Sequence, residues 1–178
     1  MRCSDACLAI GELRLPNAVP VVPSRVELRQ MRFQRTGLIE MSEHMQRATN
    51  NLAEIWEELI VSILAVNNRS LEKTYALLPL LRKSGVVDPL NLTRWEVEEV
   101  VAMLKTAGLD WGSYMTGLFA RRFVSLGAVL KSNGIAACGK ILLDNDPNTI
   151  RNLLLLVNGI GPKVLQNFFL LRGISEKA

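Results

Sequence analysis

The residues with the clearest chemical potential lie in one short run, Asn158-Gly159-Ile160-Gly161-Pro162-Lys163-Val164. Two glycines flanking a single aliphatic residue permit a turn too tight for side chains, with backbone angles that a β-carbon would oppose. Ile160 is expected to point inward while its neighbours expose bare amides. Pro162 begins the next helix, where its missing N–H costs nothing, and that helix's free N–H groups and positive dipole end face outward. The product is an anion socket made of backbone. A phosphodiester fits it, and because no base edge is touched, such a contact positions DNA without reading sequence. A lone Gly-x-Gly is equally compatible with an ordinary turn between helices. Here the apolar run Leu153-Leu154-Leu155-Leu156, then Val157, Pro162, Lys163 and a second apolar helix all agree with a backbone-gripping hairpin over 153–171.

Other reactive residue types are sparse. Cys3, Cys7 and Cys138 are too few and scattered for a disulfide framework, and with His44 as the sole histidine they make no zinc pattern. No metal and no cofactor is expected. The net charge of +4 and a pI near 9.2 suit a polyanionic partner without identifying one. With 49% apolar and 21% charged residues, the 178-residue chain is of the globular class rather than the disordered one. The longest apolar runs, such as residues 59–66, fall short of the roughly 20 residues a bilayer span needs, and Asp5, Glu12 and Arg14 interrupt any signal-like start. A cytoplasmic or nucleoid-associated protein is expected, neither secreted nor membrane-bound.

The elements that must position the hairpin are helical. Residues 1–40 stand apart as an irregular or disordered basic leader: Pro16, Pro20 and Pro23 break any helical period, and six arginines face only Asp5, Glu12, Glu27 and Glu40. Met41 is an alternative start. The helical domain is expected over 41–178. Ser42 is the expected N-cap of a long helix whose buried face carries Leu52, Ile55, Trp56, Leu59, Ile60, Ile63 and Leu64 and which stops near Asn67-Asn68. Ser70 caps a second helix that Pro79 should kink or end and Gly85 should close. Thr93 and Glu96 form the capping box of a third, running through Val97, Val100, Val101 and Leu104 to Gly108. A fourth spans about 113–131, with Leu118, Phe119, Phe123, Val124 and Leu126 inside. Arg121 and Arg122 fall on its solvated face, as phosphate contacts only if that face adjoins the hairpin. Residues 134–146 are left unassigned, Pro147 opens a fifth helix through Leu156, and the last runs from Pro162 to about Leu171. No strand alternation is sustained outside the leader, so the fold class is all-α.

With these residues in order, the chain resembles the helix-hairpin-helix superfamily of DNA glycosylases, which includes endonuclease III, adenine glycosylase and 8-oxoguanine glycosylase. The hairpin carries the resemblance. Residues 59–68 are similar to the family's early helix that ends in a polar residue near the flipped base, and Leu104-Lys105-Thr106-Ala107-Gly108-Leu109 to its mid-chain helix end. The likeness covers about residues 52–172. It implies a helical glycosylase-type domain and a base-excision-repair activity on duplex DNA with damaged or abasic sites. It places Lys163 at the catalytic lysine of bifunctional members, which attacks the anomeric carbon and supports strand cleavage through a Schiff base. The same position in non-catalytic hairpins simply meets a phosphate. A nucleophilic lysine needs burial or a nearby cation to be uncharged near neutrality.

By the same resemblance, Asn67 and Asn68 line a base pocket and bind a flipped base's edge, although an Asn pair more commonly just ends a helix. Trp111 and Tyr114 either stack beside a base or pack at the rim. Two parts of the family pattern are missing. No aspartate follows Lys163, where Glu176 is the sole acid, and the four-cysteine iron–sulfur loop of endonuclease III has no counterpart. That leaves an enzyme read in part, a shortened relative kept for binding, or a chain completed by a partner. The alternative function is a non-catalytic helix-hairpin-helix DNA-binding module.

Overall fold

In the computed structural model the described residues are 51–67 and 69–174. The basic leader, the Ser42 cap and Asn68 lie outside them. All regular elements among the described residues are helices: α1 (Leu52–Leu64), α2 (Leu71–Tyr75), α3 (Leu78–Ser84), α4 (Pro89–Leu92), α5 (Val97–Thr106), α6 (Ser113–Asn133), α7 (Ile135–Leu143), α8 (Pro147–Leu154) and α9 (Pro162–Arg172). The all-α class holds. No single one of them is long and apolar enough to cross a membrane.

The core is organised around α1, which packs against α2, α6, α7 and α9. Its periodicity predicts one buried face, but every residue from Glu58 to Val66 is buried. The difference has a local cause: Val61 and Ser62, off the expected stripe, are covered as well, and the Ser62 hydroxyl donates to the Glu58 carbonyl at 2.7 Å instead of seeking water. Each aliphatic side chain so enclosed contributes about 1.5–3 kcal/mol. Asn51 caps the described start of α1, accepting from the Ala53 N–H at 3.1 Å.

Two sequence expectations shift by a turn or less, for legible reasons. Pro79 does not end the second helix; it occupies the first turn of α3, where its missing N–H is harmless, and the break comes earlier, at Ala76 and Leu77. Gly85 does close α3, in a left-handed conformation. The capping box is Glu96 with Glu99, not Thr93 with Glu96: the Glu99 carboxylate accepts from the Glu96 N–H at 2.8 Å, and Thr93 instead ends the short α4. The unassigned 134–146 segment contains α7, which leaves α6 at 101° through Gly134.

The long α6 is the beam on which the second half rests, packing against α4, α5 and α7. Its Gly127 is required by contact: a β-carbon there would stand 1.9 Å from the Leu92 carbonyl oxygen. Phe119, Phe123 and Leu126 fill the interior beneath it, while Leu118 and Val124 are only half-buried.

Candidate nucleic-acid interface

The hairpin is built by α8 and α9. Asp146 starts α8 as its N-cap, its carboxylate accepting from the Thr149 hydroxyl and, at 2.9 Å, from the Thr149 N–H. These bonds, the hydroxyl first, hold the Asp146 carboxyl below the usual carboxylate range. Ile150, Leu153 and Leu154 bury the inner face, and α8 ends two residues short of Leu156, leaving Leu155 and Leu156 exposed. Val157 and Ile160 then dip into the core, and the Ile160 N–H donates to the Val157 carbonyl at 3.2 Å. The inward Ile160 is as its sequence position requires.

The two glycines have different reasons. Gly159 takes φ +87°, a left-handed conformation that a side chain opposes. Gly161 is extended, with φ −129° and ψ −173°, and a β-carbon there would meet nothing within 4 Å. The expectation that both need special backbone angles therefore applies to Gly159 alone. At Gly161 the fold leaves open space over the start of α9.

Around that space the backbone presents donors. The Gly161 carbonyl accepts from the Val164 and Leu165 N–H groups, and the Asn158 N–H donates to the Ser125 hydroxyl of α6 at 2.8 Å. The N–H groups of Gly159, Gly161 and Lys163 have no hydrogen-bond partner among the described residues. Gly159, Pro162 and Lys163 are exposed, Gly161 is half-buried, and Val164 is buried. Lys163 stands on the exposed stripe of α9 with Gln166 and Leu170; its Nζ donates to the Gln166 side-chain oxygen at 3.3 Å.

The remainder of α9 is fixed by polar ties that its apolar pattern conceals. Asn167 is buried and donates through Nδ2 to the Ala65 carbonyl, the C-cap of α1, at 2.8 Å. Arg172 donates from Nε and Nη2 to Asn145 at 3.2 and 2.8 Å. Its Nη1 stands 3.5 Å from Glu58 Oε2, within ion-pair range though outside hydrogen-bond geometry. Asn167 was detectable in sequence as the one polar residue in Val164–Leu171 that faces inward by helical spacing; nothing in the sequence marks Ser125 or Arg172 as ties.

Asn67 is exposed in a left-handed conformation, φ 55°, two residues past the α1 C-cap. The Trp111 ring meets Phe119 edge-on at 5.5 Å, and the Trp111 backbone N–H donates to the Thr116 hydroxyl at 3.1 Å. Tyr114 is 74% exposed.

Arg122 departs most from expectation. It is not on the solvated face with Arg121. Its guanidinium carbon lies 5.7 Å from the Phe119 ring centroid, and its Cγ and Nε are 2.9 Å from where a Gly159 β-carbon would stand. That face of α6 thus adjoins the hairpin. Arg69 lies on the other end of the same cluster, 4.4 Å from the Trp111 centroid and 5.9 Å from that of Phe119. Contacts therefore run from the loop after Asn67, through Arg69, Trp111, Phe119 and Arg122, to Gly159. Burial holds both guanidinium groups below their ordinary value, with Tyr114 opposing it at Arg122.

No cluster of three or more His, Cys, Asp or Glu side chains suited to a metal occurs among the described residues. Comparison with protein families, curated proteins and solved structures finds no match for the chain.

Proposed function

We propose that this protein grips the backbone of duplex DNA through the hairpin at 153–171 and acts in base-excision repair as a DNA glycosylase/AP lyase. The observation that supports the reading is the set of unpartnered N–H groups on Gly159, Gly161 and Lys163 around the start of α9, with open space beside Gly161. Donors at a helix start attract an anion, and a phosphodiester presents one at every nucleotide. Binding is then tolerant of sequence, because phosphate oxygens are the same everywhere.

In the lyase reaction the Lys163 amine adds to the C1′ aldehyde of an abasic sugar, and loss of water leaves an imine. Borohydride delivers hydride to that imine carbon and fixes the adduct as a secondary amine. A second reading, a non-catalytic DNA-binding module, draws on one specific observation: Lys163 is exposed, with Gln166 as its partner. A nucleophilic amine ordinarily has burial or a neighbouring cation to discharge it.

Borohydride trapping on a duplex with one abasic site separates the two. A wild-type adduct that Lys163→Ala abolishes supports the lyase. Equal absence of adduct in both proteins, with duplex binding retained, supports the module. Failure of the wild type to bind any duplex overturns both.

A further inference from the structure

We infer that Arg69 and Arg122 form a phosphate-binding pair beside the hairpin, positioned to take the backbone phosphate next to the one on the Gly159–Lys163 amides. The source of the phosphate as a DNA strand rests on the function proposed above; the pair itself rests on side-chain geometry. Both guanidinium carbons lie within 6 Å of the single Phe119 centroid, at 5.9 and 5.7 Å. Neither arginine has a hydrogen bond or a carboxylate at ion-pair distance among the described residues. Arg122 Nε and Nη1 are fully buried without a partner, so Nη2 is the nitrogen left facing out.

Such an arrangement is costly for a fold with no anion to hold. Arg122 Nε and Nη1, stripped of water and left unpaired, lose hydrogen bonds that the fold does not replace. Contact with an aromatic face offsets only part of that cost. Uncompensated groups of this kind are characteristic of binding sites, where the ligand supplies what the protein lacks. A phosphate offers acceptors to the outward Nη2 of Arg122 and to the Arg69 guanidinium, each a charge-assisted donor. Placement favours the DNA strand as its source: Arg122 lies against Gly159, so a backbone crossing the hairpin amides passes the guanidinium next.

The rival is purely structural, with the arginines as aromatic packing, and it predicts the opposite response to mutation. Arg69→Met and Arg122→Met keep the aliphatic bulk and remove the charge. The pair predicts that the ligand-free melting temperature of each variant is unchanged or higher. It also predicts that affinity for a duplex of about 20 base pairs falls roughly tenfold and that the slope of log K against log salt flattens by about one. Unchanged duplex affinity and slope, with a lower melting temperature, overturns the pair. Gly161→Val, at a position with open space, tests the hairpin separately. If it leaves duplex affinity intact while the arginine variants lower it, the hairpin reading falls and the pair stands. Inorganic pyrophosphate is the second probe. If it raises the wild-type melting temperature but not that of either arginine variant, and the wild type binds no duplex, the pair serves a free phosphate compound and the DNA source is lost. Wild-type indifference to both pyrophosphate and duplex overturns the pair altogether.

Discussion

At the scale of single residues, Gly159 and Gly161 look alike in the sequence and differ in what they do. Gly159→Ala places a methyl group in a left-handed backbone and against Arg122, 2.9 Å from its Cγ. It should cost about 1–2 kcal/mol in chemical denaturation. Gly161→Ala has extended angles and open space, so its stability should stay within about 0.5 kcal/mol of wild type while duplex affinity falls, because the methyl group occupies the room above the free amides. Equal destabilisation by both, in parallel melts, would contradict the division of roles. Arg122 carries a related lesson. Its number alone places it beside Arg121 on a wet face, but one helical step, about 100°, turns it toward Phe119. A pattern of charges along a helix cannot show which charge is covered when a second element crosses it.

At the scale of elements, the hairpin is held by polar ties at both ends, and each makes a prediction. Asn167→Ala removes the bond to the Ala65 carbonyl and leaves that buried acceptor unpaired, so a loss of about 1–3 kcal/mol is expected in urea denaturation. It should be accompanied by faster amide exchange in α9 than in α6. Asp146→Ala should lower the midpoint of urea denaturation through the lost N-cap of α8. Because the folded carboxyl titrates below its unfolded value, this contribution is present above about pH 4 and is lost as the pH falls through the folded value. The difference between wild type and Asp146→Ala should therefore shrink in acid; a constant gap from pH 7 to pH 2 would count against the cap.

Helices α1, α5, α6, α8 and α9 were legible from their apolar periods, reinforced at α8 and α9 by Pro147 and Pro162 in the first turn. The short α2 to α4 and the turn into α7 were less so. Their ends are decided by two or three residues, among them Leu77 and Gly134, whose conformations follow from packing more than from type. In the candidate site, the inward Ile160 and the free start of α9 could be read from the run around Gly159. The juxtaposition of Arg69, Trp111, Phe119 and Arg122 with that turn could not, because it joins segments 53 residues apart, from Arg69 to Arg122, through tertiary contact alone.

At the scale of the whole molecule, a helical scaffold centred on the buried α1 holds α9 from beneath and α6 holds the turn from the side. The surface so presented is backbone donors flanked by Lys163 and Arg122, and phosphate contacts of that kind release counterions. Duplex affinity should therefore fall with salt at about 0.9 log units per log unit of salt for each phosphate contacted, with little change on scrambling the sequence. Backbone gripping by the hairpin is measured most directly by an amide-resolved NMR titration of the protein with a short undamaged duplex at low salt. The Gly159, Gly161 and Lys163 amides should shift first and furthest, and added salt should reverse the change. Duplex binding that leaves those three amides unmoved would contradict that grip.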